Sequence, residues 1–190
     1  MQIELFHGSP NIIEQPEFGR GKPYNDYGQG FYCTESLEMA CEWAVGPQRS
    51  GYANHYRFDA DGLTCVDLSA PDMTILNWLA VLLQNRQFDV SSLLAAEARE
   101  YLIANFSVPL DRYDYITGYR ADDSYFSFAQ DFLNGTISVR QLGNAMHLGR
   151  LGTQFVLKSR EAFERLAFAG SHTTLLCNTV AWTVLRPVGR

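Results

Sequence analysis

Residues Tyr27–Trp43, YGQGFYCTESLEMACEW, set the reading of this chain. Two glycines, Gly28 and Gly30, lead into the aromatic pair Phe31–Tyr32. Glycine permits turns and close ligand approach that a Cβ forbids, so this stretch reads as a tight turn feeding a short strand that carries Tyr32. A helix follows from a cap near Thr34–Ser36. Leu37, Ala40, Cys41 and Ala44 share one of its faces, with Trp43 at the edge. Upstream, Pro10, Pro16, Gly19, Gly21, Pro23 and Asn25–Asp26 mark residues 10–27 as a loop. A loop of that length is usually functional or disordered, and one lying between two candidate site elements reads as a lid.

The bulk properties narrow the field. A chain of 190 residues reads as one domain, 1–190, with a substantial core. Its 46% hydrophobic and 13% aromatic content argues against disorder. No apolar run approaches the roughly 20 residues of a membrane helix. The start, MQIELFHG, lacks the basic and apolar regions of a signal peptide, so a cytoplasmic protein with no membrane partner is expected. A net charge of −6 weighs against a broad nucleic-acid groove, though not against a nucleotide site or a local basic patch. Cys33, Cys41, Cys65 and Cys177 form no CxxC pair, and His7, His55, His147 and His172 do not cluster near them. Reduced, mostly buried thiols are expected, and no metal is called for.

Along the chain, Ile3 and Leu5 alternate with polar residues into His7 as a half-buried strand. Residues 55–59 and 63–67 flank Asp61–Gly62 and predict a hairpin. Ile75, Leu76, Leu79, Leu82 and Leu83 mark one helix; Leu93, Leu94, Ala98, Tyr101 and Leu102 mark a second. Tyr113–Thr117 predicts a strand ended by Gly118, and 123–133 a helix. Ser138 and Gln141 form a capping box for a helix closed by Gly149. Thr153–Lys158 predicts a strand, Arg160–Ala167 a short helix, and Thr179–Leu185 a last strand. Strands at the start, middle and end with helices between them indicate α+β, or a split mixed sheet.

Taken alone, His7 at a strand end, Tyr32 and Gln154 are ordinary residues, and a bare GxG says little about dinucleotides. Nor is there a Rossmann fingerprint, which needs a third glycine and a later acid. Together, though, His7–Gly8–Ser9, Tyr27–Gly28–Gln29–Gly30–Phe31–Tyr32 and Thr153–Gln154–Phe155–Val156 resemble the three-part signature of the ADP-ribosyltransferase superfamily, of the His–Tyr–[Glu/Asp/Gln] type. The resemblance implies an α+β fold, the ADP-ribosyltransferase-like split mixed β-sheet with inserted helices, and NAD+ as substrate. It spans about residues 3–168, leaving 170–190 as a C-terminal extension.

The resemblance also implies roles. His7 would contact a ribose hydroxyl, with Ser9 completing the motif, and the Gly8 backbone would pair with the nicotinamide amide. Tyr32, reached through Gly28, Gly30 and Phe31, would stack on the nicotinamide ring, with Trp43 eleven residues on against the other face. A cationic ring suits an aromatic clamp. Gln154 stands where polymer-forming relatives and many Arg-modifying toxins carry Glu. An amide can hydrogen-bond a ribose 2′-hydroxyl but brings no negative charge, which points to mono-ADP-ribosyl transfer. Arg20 would pair with the pyrophosphate or stand exposed in the loop; Asp122 and Asp123 would contact ligand or cap a helix.

At closer range, Tyr113–Ile116, Gly118, Ala121–Asp123, Asn134–Gly135 and Ser138–Leu148 look like a small bacterial family within the superfamily. Genes of that family often neighbour a small candidate antitoxin, so an antitoxin protein is an implied partner and a toxin role an implied setting. Delivery into another cell stays open. So does the acceptor, a residue of a protein or a nucleotide. An NAD+ glycohydrolase and an inactive NAD+-, ADP-ribose- or protein-binding module of the same fold are the alternatives. A thiol hydrolase using Cys33 or Cys41 with His7 is a distant third.

Overall fold

A computed structural model describes residues 1–46, 49–121, 123–148 and 152–174, without the side chains of 123, 124, 147 and 148. Within them lie seven strands and six α-helices, an α+β composition with mixed strand pairing. The chain forms two compact units. The first comprises Met1–Pro16, Cys33–Asp61 and the segment from Glu164; the second comprises Glu17–Tyr32 and Gly62–Phe163.

The first unit is an antiparallel sheet. Strand β1 (Gln2–Ser9) pairs along its whole length with β3 (Gly51–Asp59), from Gln2 opposite Asp59 to Ser9 opposite Tyr52. On its other side Phe6 lies opposite Thr34 of β2 (Phe31–Thr34). Strand β7 (Leu166–Thr174) covers the far edge of β3, with a register shift between His55 and Tyr56. Leu5, Cys33, Tyr56 and Phe58 are fully buried in this unit.

Helix α1 (Leu37–Ala44) starts where expected, with the Ser36 hydroxyl accepting from Met39 N at 3.2 Å. Its buried side chains are Met39, Ala40 and Ala44, while Leu37 is exposed and Cys41 half-buried. Two glycines let α1 lie directly on the strands. A Cβ on Gly8 would stand 2.1 Å from Ala40 O, and one on Gly51 2.0 Å from Ala44 O.

The second unit holds β4 (Cys65–Asp67), parallel to β5 (Tyr115–Tyr119), which pairs antiparallel with β6 (Thr153–Leu157). Helix α2 (Ile75–Asn85) is its centre: every residue from Trp78 to Leu83 is buried. Around it stand α3 (Leu93–Phe106), a 3-10 turn at Leu110–Arg112, α4 (Asp123–Leu133), α5 (Val139–Leu148) and α6 (Arg160–Glu164). The Ser138–Gln141 box is present: Gln141 Oε1 accepts from Ser138 N at 2.8 Å, and Gln141 N donates to Ser138 Oγ at 3.3 Å. Among the described residues no helix is long and apolar enough to cross a membrane.

Several expectations are corrected. The Asp61–Gly62 turn is real, with Gly62 at φ +76°, but no hairpin forms: β3 has both edges occupied by β1 and β7, and β4 pairs with β5. Strand β5 runs through Gly118 instead of stopping there. Helix α3 forms as expected; Ala95 and Leu102 are buried and Ala98, Ile103 and Phe106 pack partly buried against the core, while Leu93, Leu94 and Tyr101 are exposed. Helix α6 ends at Glu164 because β7 begins at Leu166, a strand whose small and polar residues gave no β signal. Cys33 is buried, but Cys65, on the edge strand β4, is exposed. Asp122, Gly149, Cys177 and the strand expected over Thr179–Leu185 lie outside the described residues.

Candidate active site

The second unit contains the Tyr27–Tyr32 turn. Gly28 sits at φ +73°, a left-handed conformation natural to glycine. Its N–H donates to Asn25 O at 2.9 Å, closing the bend. Gly30 is required for a different reason: a Cβ there would stand 2.6 Å from Val156 Cγ1 and 2.8 Å from Leu157 O of β6. The Tyr32 hydroxyl reaches back over the turn, donating to Gly28 O at 2.6 Å and accepting from Tyr27 N at 3.0 Å. Its ring packs partly buried against the core of this unit. Burial holds the Tyr32 phenol well above its ordinary pKa, so it stays neutral.

Three further side chains brace the turn. Lys158 Nζ donates to Tyr27 O at 2.9 Å and Gln29 O at 2.6 Å, and burial pulls its pKa down. Gln29 Nε2 donates to Gly19 O at 2.6 Å and Gly21 O at 3.0 Å, tying the end of the preceding loop to the turn. Phe18 meets Phe163 edge to face at 5.5 Å and lies under the Arg160 guanidinium at 5.0 Å. Phe31 is buried, 6.1 Å from Phe163, and serves packing. Arg20 points to solvent, paired with Glu17 at 3.0 Å.

Gln154 lies on β6 opposite Gly118 and is 3% exposed. Its Nε2 donates to Asp26 Oδ2 at 3.0 Å and to Tyr119 O at 3.2 Å. Asp26 is itself a buried hub. Its Oδ1 accepts from Arg86 NH1 at 2.8 Å, and its Oδ2 also accepts from Ala121 N at 3.0 Å. The next residue, Tyr27, is 1% exposed and donates to Tyr119 O at 2.5 Å, where Trp78 Nε1 also donates at 3.2 Å. Burial first, then the Asp26 charge, raises the Tyr27 pKa. Tyr32 and Gln154, far apart in sequence, are therefore joined through the consecutive pair Asp26–Tyr27.

In the first unit His7 is half-buried at the end of β1, opposite Asn54. Gly8 lies against α1 at Trp43, whose Cβ would be 2.6 Å from a Gly8 Cβ, so His7–Gly8 and Trp43 share one locality. Asn54 is fully buried. Its Nδ2 donates to His7 O at 3.2 Å, Ser9 Oγ at 3.1 Å and Asn11 O at 3.2 Å, and its Oδ1 accepts from Ile13 N at 2.9 Å. Ser9 donates to Asn11 O, so its hydroxyl works within the protein. Asp123 opens α4, and its side chain lies outside the described residues. Among the described residues no three His, Cys, Asp or Glu side chains gather as a metal site would need.

Sequence reading missed Asp26, Arg86, Asn54 and Lys158. Asp26 was hidden by its neighbours, since Asn25–Asp26 before Tyr27 reads as turn chemistry. Asn54 did leave a signal: an amide inside a strand of otherwise β-forming residues is unusual.

A family model described as "Protein of unknown function (DUF3990)" matches residues 3–168, and the chain belongs to that family. The matched span contains all three motif segments. No curated protein and no solved structure matches the chain.

Proposed function

We propose that the protein is a mono-ADP-ribosyltransferase acting on NAD+, with the split mixed sheet of that superfamily. The observation that carries the reading is the state of Tyr32. Its hydroxyl donates and accepts within the turn, at 2.6 Å and 3.0 Å, so the turn holds the ring in one orientation. A fixed aromatic face suits a cationic nicotinamide ring.

In this reading the glycosidic bond between nicotinamide and ribose C1 breaks through an oxocarbenium-like state. Nicotinamide leaves with the bonding electrons, and an acceptor nucleophile on a macromolecule bonds to C1 and loses its proton. His7 and Gly8 hold ribose and carboxamide, Tyr32 and Trp43 hold the ring, and Gln154 accepts from a ribose hydroxyl. The described Tyr phenols at the turn stay neutral, so positioning supplies much of the rate. The acceptor belongs to a protein or nucleic acid, and a small antitoxin protein is the proposed restraint on a cytoplasmic toxin.

A second reading has its own support. The Gln154 amide nitrogen is engaged by Asp26 and Tyr119, and no carboxylate stands at position 154, as in a module that binds NAD+ or ADP-ribose without turnover. The test is nicotinamide release, with transfer of label from adenine-labelled NAD+ in lysate, for wild type, His7→Ala, Tyr32→Ala and Gln154→Ala. Label fixed to a macromolecule by wild type and strongly reduced in all three variants supports the transferase. Release without fixed label supports a glycohydrolase, and NAD+ binding without release supports the binding module.

A further inference from the structure

The buried contact between Asp26 and Gln154 has a chemical consequence for the proposed site. An amide has two donor protons on nitrogen and an acceptor oxygen; its two orientations have nearly the same shape, and the hydrogen-bonding neighbours choose between them. Here both neighbours on one side of the Gln154 amide are acceptors: Asp26 Oδ2 at 3.0 Å and the Tyr119 carbonyl at 3.2 Å. The reversed amide would set its oxygen against two oxygens. Asp26 cannot relax to allow this, because Arg86 NH1 and Ala121 N hold both of its oxygens. The Tyr27 phenol also hydrogen-bonds the Gln154 side chain, and because its proton goes to Tyr119 O, its oxygen is a further acceptor facing the amide.

We propose that Asp26 is the positioning residue of the site: it fixes the Gln154 amide with nitrogen inward and Oε1 as the acceptor for a ribose hydroxyl. This rests on the transferase reading for the ligand, and on the contact alone for the orientation. It also explains why the chain carries Gln at 154. A carboxylate there would face the Asp26 carboxylate at hydrogen-bond distance, and two carboxylates sharing a site cannot both ionise easily. The groups around the amide are Asp26 and Arg86, with the neutral phenols Tyr27 and Tyr32.

The experiment compares wild type, Gln154→Glu, Asp26→Asn and the double variant Asp26→Asn/Gln154→Glu, which moves the carboxylate between the two positions without changing the net charge. Nicotinamide release and Tm are followed from pH 5 to 8. At pH 7.5 release by Gln154→Glu should fall at least tenfold and partly recover toward pH 5, where the introduced carboxyl is protonated. Its Tm should fall with pH more steeply than that of wild type. The double variant should recover release at least fivefold over Gln154→Glu and lose the extra Tm slope. A merely structural role for Asp26 would leave the pH profile of Gln154→Glu like that of wild type. Equal or higher release by Gln154→Glu at pH 7.5, or no difference in Tm slope, overturns the proposal. No release by any protein, wild type included, ends the transferase reading instead; the Tm slopes then still decide the orientation, which stands if the extra slope appears in Gln154→Glu and vanishes in the double variant.

Discussion

At the scale of single residues, polar side chains that close on their own backbone shape the candidate site. Tyr32 illustrates the division of labour between ring and hydroxyl. Tyr32→Phe keeps the ring but orphans Tyr27 N, so it should cost about 1 kcal/mol of stability and leave NAD+ turnover within roughly fivefold of wild type. Tyr32→Ala should lower kcat/KM roughly thirtyfold, because a desolvated cation–ring contact is worth about 2 kcal/mol. Steady-state kinetics of the two variants beside urea denaturation separate these effects, and equal losses would show that the ring has no part in binding. Asn54 is a second such residue. Its amide links His7 O, Ser9 Oγ, Asn11 O and Ile13 N, so Asn54→Ala leaves several buried groups unmet. A loss of about 2–3 kcal/mol is expected in urea denaturation; a loss below the error of that measurement would mean water replaces the amide fully.

Among elements, the glycines that admit close approach matter more than those that merely turn. Gly8→Ala drives a Cβ to 2.1 Å from Ala40 O, a backbone atom of α1 that cannot swing aside. It should cost about 3 kcal/mol and displace α1 with Trp43. Gly62→Ala meets nothing within 4 Å and bears only the strain of φ +76°, about 1 kcal/mol. Equal urea midpoints for the two variants would contradict the packing of α1 on β1. The same contrast explains what could be read from sequence. Local signals sufficed for the Ser36 and Ser138 caps, for β6 and for α2, whose apolar run is long enough to declare itself. They failed where distant partners set the outcome. Asp61–Gly62 announced a turn but could not say that β1 and β7 already flank β3. Strand β7, AGSHTT at its end, is a strand because β3 offers it an edge. Around the candidate site, the motif residues carry a resemblance readable from sequence, whereas Asp26 meets Gln154 across 128 positions of chain and left no local trace.

For the molecule as a whole, buried neutral acids set its response to alkali. Burial raises the pKa of Cys33 above its ordinary value of 9.0, and those of Tyr27 and Tyr32 above 10.0. A group whose folded pKa is raised contributes stability that is complete below its unfolded pKa and is lost as pH climbs toward the folded one. Stability should therefore decline from about pH 9, at up to about 1.4 kcal/mol per pH unit for each group titrating in the unfolded chain. Lys158, with its pKa lowered by burial, acts in the opposite sense and offsets one group. Urea denaturation between pH 8 and 11 checks this: Cys33→Ala should make the decline near pH 9 shallower, with Cys65, also raised by burial, still contributing there, and a flat wild-type profile would contradict the burial of these groups. The central claim, that the protein cleaves NAD+ at the nicotinamide bond, is met most directly by incubating purified protein and lysate with adenine-labelled NAD+ and following nicotinamide and label together. The account predicts nicotinamide release matched by label fixed on a macromolecule, both lowered roughly thirtyfold by Tyr32→Ala. NAD+ left intact by a folded wild-type protein that binds it would contradict the account and leave the binding module in its place.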